Sequence, residues 1–231
     1  MTSVSFGNRL SAVAVGREPV EGARRALNIA VAALGLVVTA PLMAIIALAI
    51  KLSSRGPVFY TQTRVGLDRR AVGAPGNSRR RTDCGGKPFR IYKFCTMTPA
   101  ARPAEASEVW ARPDDPRITA VGRILRLYRL DELPQLLNVL RGEMNVVGPR
   151  PEQPTIFARL REQIDRYGER QRVRPGITGW AQVNHRYDQS IDDVRRKLSL
   201  DLEYIRHQSL WQDVQIMART FPVVLKKLGA V

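Results

Sequence analysis

The sequence predicts a mostly α chain with short β elements, in which a re-entrant membrane helix precedes a cytoplasmic, interfacial α/β domain. Three observations predict it: one long uncharged apolar segment, a large excess of basic over acidic residues, and helical periodicity in several stretches downstream.

The apolar segment comes first. Residues 26–50 carry no charged side chain. As a helix they would measure roughly 37 Å, enough for a hydrocarbon core of about 30 Å. A cleaved signal peptide is excluded by length, since its apolar core runs only about 7–15 residues. Arg24 and Arg25 stand on one side and Lys51 and Arg55 on the other, so the excess of positive charge on cytoplasmic flanks favours keeping both ends in the cytoplasm. Pro41, near the middle, lacks a backbone donor and obstructs the carbonyl of Val37. A kinked helix that enters and leaves by one face satisfies both facts, with Thr39 capping a carbonyl that the break exposes. A straight or mildly kinked span is the alternative.

The remaining organisation follows from pattern. Residues 1–23 show no sustained period and read as a mobile N-terminal tail, 24–52 as the re-entrant membrane helix, and 53–231 as the cytoplasmic, interfacial domain. Within that domain, 53–66 reads as a turn and a short strand, and 87–97 alternates like a second strand. Between them, the Gly- and Arg-rich stretch 67–86 reads as a flexible insertion. Residues 99–116 read as a loop with a helical turn. In 118–140, Val121, Ile124, Leu125 and Tyr128 define a helical apolar face, and Pro134 marks a kink or the first turn of a second helix. Residues 148–154 form an extended, rigid loop, 155–171 a helix and 174–179 a turn. Residues 191–227 carry helical patterning that sets Trp211, Phe221 and Leu225 for a lipid interface.

Charge narrows the partners. Lys and Arg number 37 against 21 Asp and Glu, a formal net charge of +16, which favours nucleic acid, anionic headgroups or a phosphorylated substrate. Helix-turn-helix DNA binding is disfavoured, because Pro134 falls where a recognition helix should continue and a long apolar segment suits no soluble repressor. No nucleic acid partner is therefore expected. Cys84, Cys95, His185 and His207 have no paired CxxC or HxxxH spacing, so a zinc site is not expected.

Asp131 and Glu132 are the candidate catalytic pair. They follow Arg123, Arg126 and Arg129, spaced by three. Adjacent carboxylates on a helix point about 100° apart, so one can face a substrate while its neighbour binds a metal; a solvated charged face is the bland alternative. Lys93, Arg126 and Arg150 lie in segments otherwise built of Gly, Pro and apolar residues. The prolines at 149 and 151 would hold the Arg150 guanidinium stiffly, which suits bidentate phosphate recognition.

The ordered motifs SSRGPVFYxQxRVG (53–66), KFCTM (93–97), DPRITxVGR (115–123), LDELPQLLNVLRGEM (130–144), GPRPE (148–152) and PGITGWAQVN (175–184) resemble the bacterial sugar transferase family, the small monotopic polyprenyl-phosphate sugar-1-phosphate transferases. The resemblance covers 24–228. It implies transfer of a sugar-1-phosphate from a nucleotide diphosphate sugar, with UDP expected, to undecaprenyl phosphate at the cytoplasmic face of the bacterial inner membrane, starting an exopolysaccharide or other surface glycan. It also implies Asp131 as nucleophile, Glu132 as its Mg²⁺-binding partner with Asp131 beside it, and Lys93, Arg126 and Arg150 on the phosphates or nucleotide. Asp201 and Asp213 match acidic positions of the family and are expected to bind substrate, and Pro41 matches the proline at which its re-entrant helix bends. The chain departs from the family pattern at Asn28, Ala40, Cys95 and His185. Homo-oligomerisation stays open.

Overall fold

The computed structural model describes residues 18–69, 84–98, 115–184 and 190–225. The tail 1–17, most of the insertion (70–83), the loop 99–114, His185 and the side chain of Leu225 lie outside the described residues.

The apolar segment is one helix, α1 (Glu18–Ser53), longer at its start than 24–52 and continuous through Pro41. Thr39 does not serve the carbonyl freed at Val37. Its hydroxyl donates to the Gly35 carbonyl four residues back, at 2.7 Å, a back-bond common on helices. α1 is the one helix among the described residues long and apolar enough to cross a membrane, and little of it is covered by protein. Leu34, Val37 and Leu52 are 66%, 74% and 80% exposed. An apolar face this large is not kept in water; it makes the chain a membrane-associated protein.

The inward face of α1 carries the domain. Ala32 is buried with Phe89, Ile91, Val139 and Met144, while Ile46 and Ile50 are buried with Phe94 and Leu125. The two basic residues that precede the apolar segment are both engaged. Arg24 is buried and donates through Nε to Asp213 at 2.8 Å, and also to Gln208. Arg25 donates to the carbonyls of Val139 and Leu140 at 2.6 and 2.8 Å. Asn28, one of the departures from the family pattern, accepts from the Val146 amide at 2.5 Å and donates to the Arg24 carbonyl at 2.7 Å.

The two predicted strands form an antiparallel pair, β1 (Phe59–Val65) and β2 (Pro88–Phe94), with Gln62 opposite Ile91. Their ends are zipped further. The Gly66 amide donates to the Lys87 carbonyl and the Lys87 amide to the Leu67 carbonyl, both at 3.0 Å, so the insertion springs from a closed hairpin neck.

The predicted helical region 118–140 is divided into three pieces. α2 (Ala120–Leu127) is capped by Thr119, whose hydroxyl accepts from the Gly122 amide. Arg129 then takes a left-handed conformation (φ 53°), a 3₁₀ turn spans Leu130–Glu132, and α3 (Gln135–Leu140) starts after Pro134. The break therefore precedes Pro134. A Cβ on Gly122 would stand 2.0 Å from the Thr96 carbonyl oxygen, so Gly122→Ala must push α2 away from β2. It is expected to lower stability by roughly 1–3 kcal/mol, measurable by chemical denaturation.

Beyond it come β3 (Asn145–Val147), α4 (Pro154–Gln163), β4 (Gly176–Thr178), α5 (Trp180–Asn184), α6 (Ile191–His207) and α7 (Leu210–Leu225). β3 and β4 pair in parallel, Asn145 with Gly176 and Val147 with Thr178, so the predicted turn 174–179 holds a short strand. The predicted helix 155–171 ends early. Arg166 is left-handed (φ 62°) and a 3₁₀ helix covers Tyr167–Arg172. The largest core joins α4, α6 and α7 through Phe157, Tyr167, Leu198, Tyr204 and Ile216. Trp211 and Phe221 are exposed at 68% and 75%.

Candidate active site

The left-handed Arg129 turns the chain so that Asp131 and Glu132 occupy the 3₁₀ turn with both carboxyls buried. Three elements converge on them. Lys93, on β2, places Nζ 2.9 Å from Glu132 Oε1 and 3.6 Å from Asp131 Oδ2. Arg150, on the Pro-flanked loop, grips Glu132 with both terminal nitrogens, at 2.7 Å to Oε1 and 3.4 Å to Oε2. Arg126, on α2, donates through Nε to the Thr96 hydroxyl at 3.0 Å and meets the Met97 sulfur at 3.2 Å. At the departure Cys95, the thiol donates to the Met97 carbonyl at 3.3 Å.

The same environment pushes the two carboxyls apart. Burial raises the Asp131 pKa; Lys93 opposes it, the adjacent Glu132 charge reinforces it, and the net direction is upward. Burial also works against ionised Glu132, but there Arg150 and Lys93 outweigh it and hold the group well below the ordinary carboxylate range. Glu132 is thus a fixed anion, while Asp131 is the more basic and less satisfied oxygen donor.

Asp201 and Asp213 stand elsewhere than expected of substrate ligands. Each is 2% exposed. Asp201 Oδ2 accepts from Arg170 Nε at 2.7 Å. Asp213 accepts from Arg24 and, at 2.8 Å, from the Tyr204 hydroxyl. Both are committed to ion pairs inside the protein; Asp213 ties α7 to the start of α1.

The pair at Asp201 leads back to the site. Arg170, 1% exposed, also donates to the Tyr167 hydroxyl at 2.7 Å and to the Arg150 carbonyl at 3.1 Å. Glu152 sits 3.6 Å from Arg170 and 3.4 Å from Lys197. Burial would raise its carboxyl pKa, but Lys197, Arg170, Arg64 and Arg150 outweigh this and hold it at about 2. This ionic layer, beneath the loop that carries Arg150, was not anticipated in the sequence. Its only local signal is the glutamate ending the motif 148–152.

The donor set fits a hard divalent cation of the Mg²⁺ kind: two neighbouring carboxylates, one of them held ionised, beside cations suited to phosphate. No group of three His, Cys, Asp or Glu side chains occurs among the described residues. A site of this kind relies on water and substrate phosphate oxygens for the remaining positions rather than on an all-protein cage.

The family described as bacterial sugar transferase matches residues 20–227. A UDP-N-acetylgalactosamine-undecaprenyl-phosphate N-acetylgalactosaminephosphotransferase of Aeromonas hydrophila is 41% identical over 207 residues, covering 90% of this chain and 44% of the relative. An undecaprenyl-phosphate glucose phosphotransferase of Komagataeibacter xylinus is 42% identical over 202 residues, covering 85% and 35%. A UDP-glucose:undecaprenyl-phosphate glucose-1-phosphate transferase of Caulobacter vibrioides is 40% identical over 211 residues, covering 90% and 72%. The chain thus spans less than half the length of the first two and most of the third.

Proposed function

The chain belongs to the bacterial sugar transferase family, and from that premise we propose that it moves a hexose-1-phosphate from a UDP-sugar to undecaprenyl phosphate through a phosphosugar carried on Asp131. The observation that carries the reading is the divided dyad: a buried, basic Asp131 beside a Glu132 fixed as an anion by Lys93 and Arg150.

In the first half-reaction an Asp131 carboxylate oxygen attacks the phosphorus that bears the sugar. The bond to the bridging oxygen breaks, and the nucleoside monophosphate leaves with that electron pair. In the second, an oxygen of polyprenyl phosphate attacks the same phosphorus and breaks the acyl phosphate bond, restoring Asp131. Such a division gives ping-pong kinetics. Lys93, Arg126 and Arg150 bind and orient the donor phosphates, whose charge would otherwise repel the incoming carboxylate. Asp131 and Glu132 would hold Mg²⁺, which when bound supplies further neutralisation of phosphate charge.

The same reading places the enzyme at the cytoplasmic face of the bacterial inner membrane, at the first lipid-linked step of a surface or secreted glycan. It also favours a helix that dips into one leaflet. Arg24 and Asn28 near one end of α1 are hydrogen-bonded to the domain, and Ile46 and Ile50 near the other are packed on it. From residue 24 to 50 is about 39 Å of helix, so a helix crossing the bilayer would carry one of these contacts to the far side. In a background without native cysteines, Ala23→Cys and Ser53→Cys are expected to react with an impermeant reagent from the same face of sealed vesicles. Labelling from opposite faces would refute the dip and leave the transferase reading intact.

The activity is tested by incubating purified protein with a panel of UDP-sugars, with and without undecaprenyl phosphate. Repeated nucleoside monophosphate release that requires the lipid is expected for at least one sugar. Sustained release without lipid would mark a hydrolase instead.

A further inference from the structure

Beside the dyad lies a cavity of 260 Å³ whose lining is almost wholly apolar. Leu130, Leu133 and Leu136 form one wall, Ile177 and Val183 another, and Val223 of α7 a third; Glu132 and Arg129 are the charged groups that reach it. Its two threonine hydroxyls are spent. Thr220 donates to the Ile216 carbonyl at 2.7 Å, so in its 2.8 Å contact with Thr178 the proton comes from Thr178. Neither hydroxyl has a proton left for a ligand.

The cavity also joins the lipid-facing surface. Leu136 packs against α1 at Gly35, a Cβ on which would stand 3.1 Å from Leu136 Cδ1. Leu34 and Val38, on that same stretch of α1, are 66% and 67% exposed. On the α7 side, Phe221 lies between the lining residues Thr220 and Val223 and is 75% exposed. The cavity therefore lies between exposed apolar surface on α1 and α7 and a charged end at the dyad. Lys93, Arg126 and Arg150, which suit a polar nucleotide, do not line it.

We infer that this cavity holds the first isoprene units of the lipid acceptor, with the acceptor phosphate drawn to its Arg129 end, so that the two substrates reach the dyad by separate routes. The apolar wall suits an isoprenoid better than a sugar or nucleotide, most of whose hydroxyls would be buried there with only Glu132 and the unpartnered Gln182 Oε1 to accept from them. The charge at one end distinguishes it from a site for an uncharged hydrocarbon. Glu132 on its wall marks that this end abuts the turn that carries Asp131, and the Arg129 guanidinium supplies the charge that attracts the phosphate. The assignment rests on the transferase reading for the identity of the lipid.

The test uses farnesyl phosphate with a benzophenone at the tail, cross-linked to the full chain and mapped by peptide mass spectrometry. Labelling is expected within residues 177–183 or 220–223, displaced by undecaprenyl phosphate but neither by UDP-glucose nor by phosphatidic acid. In Val223→Trp and Val183→Trp, which fill the cavity, labelling and acceptor KM are expected to change by about tenfold or more while donor KM moves by less than about twofold. Label elsewhere, displacement by UDP-glucose or by phosphatidic acid, or filled variants with unchanged acceptor KM would overturn the assignment. If neither variant folds, the wild-type cross-link map decides. Labelling needs no turnover, so a chain that binds the probe here yet transfers nothing would refute the activity and keep the site.

Discussion

Asp131→Asn is expected to reduce turnover by at least about 10⁴-fold without unfolding the protein. The nucleophile is lost, since an amide oxygen does not form an acyl phosphate at a useful rate. The fold should tolerate the change well. Asp131 is buried, its pKa is raised, and Lys93 approaches it only to 3.6 Å, whereas the same ammonium is 2.9 Å from Glu132. A carboxyl whose folded pKa exceeds its unfolded value adds stability below the unfolded pKa and loses it as pH rises through the folded one. At neutral pH, ionised Asp131 is therefore a cost to folding that Asn removes. The variant should melt no lower than the wild type at pH 7, and a variant that kept activity would dismiss Asp131 as nucleophile.

Arg170→Met is expected to remove about 3–5 kcal/mol of stability. The guanidinium is 1% exposed and serves Asp201 at 2.7 Å, Tyr167 at 2.7 Å, the Arg150 carbonyl at 3.1 Å and Glu152 at 3.6 Å. Its loss strands a carboxylate on Asp201 that is itself 2% exposed, and frees the underside of the loop bearing Arg150. Because much of the cost is the stranded charge, Arg170→Met with Asp201→Leu should recover a large part of it, as removal of both partners of a buried pair often does. Glu152 keeps Lys197 at 3.4 Å in the double variant. Urea denaturation of the wild type, single and double variants measures this. A single variant within about 1 kcal/mol of wild type would show the ionic layer to be of little structural weight.

The sequence made the elements with strong local signals legible: the long apolar helix, the two strands around the insertion, and helical patterning in 191–227. It did not reveal the breaks at Arg129 and Arg166, because a left-handed arginine is held by its surroundings and no side-chain preference announces it. The parallel pairing of β3 with β4 was hidden for a related reason. Each strand is three residues long, and neither has enough length for a period to show. At the site, Asp131, Glu132, Lys93 and Arg150 were legible as a set, and the structure brings them within ion-pair distance. Arg126 arrives beside them on Thr96, a partner no motif marked as functional. Asp201 and Asp213 were recognisable as acidic positions, but their partners lie 31 and 189 residues away in the chain. Such distances leave no trace in spacing, so burial and pairing could not be distinguished from substrate contact. The Arg24 pair was hidden for the same reason: a basic residue before an apolar helix gives no sign that Asp213, 189 residues on, lies against it.

The central claim, that Asp131 carries the sugar phosphate between donor and acceptor, is tested most directly by mass spectrometry of the protein after incubation with its UDP-sugar in the absence of lipid. One hexose phosphate is predicted on the peptide containing Asp131, absent from Asp131→Asn and discharged when undecaprenyl phosphate is added. An enzyme that transfers sugar phosphate with normal turnover, yet never accumulates that adduct and shows kinetics requiring both substrates bound together, would contradict it.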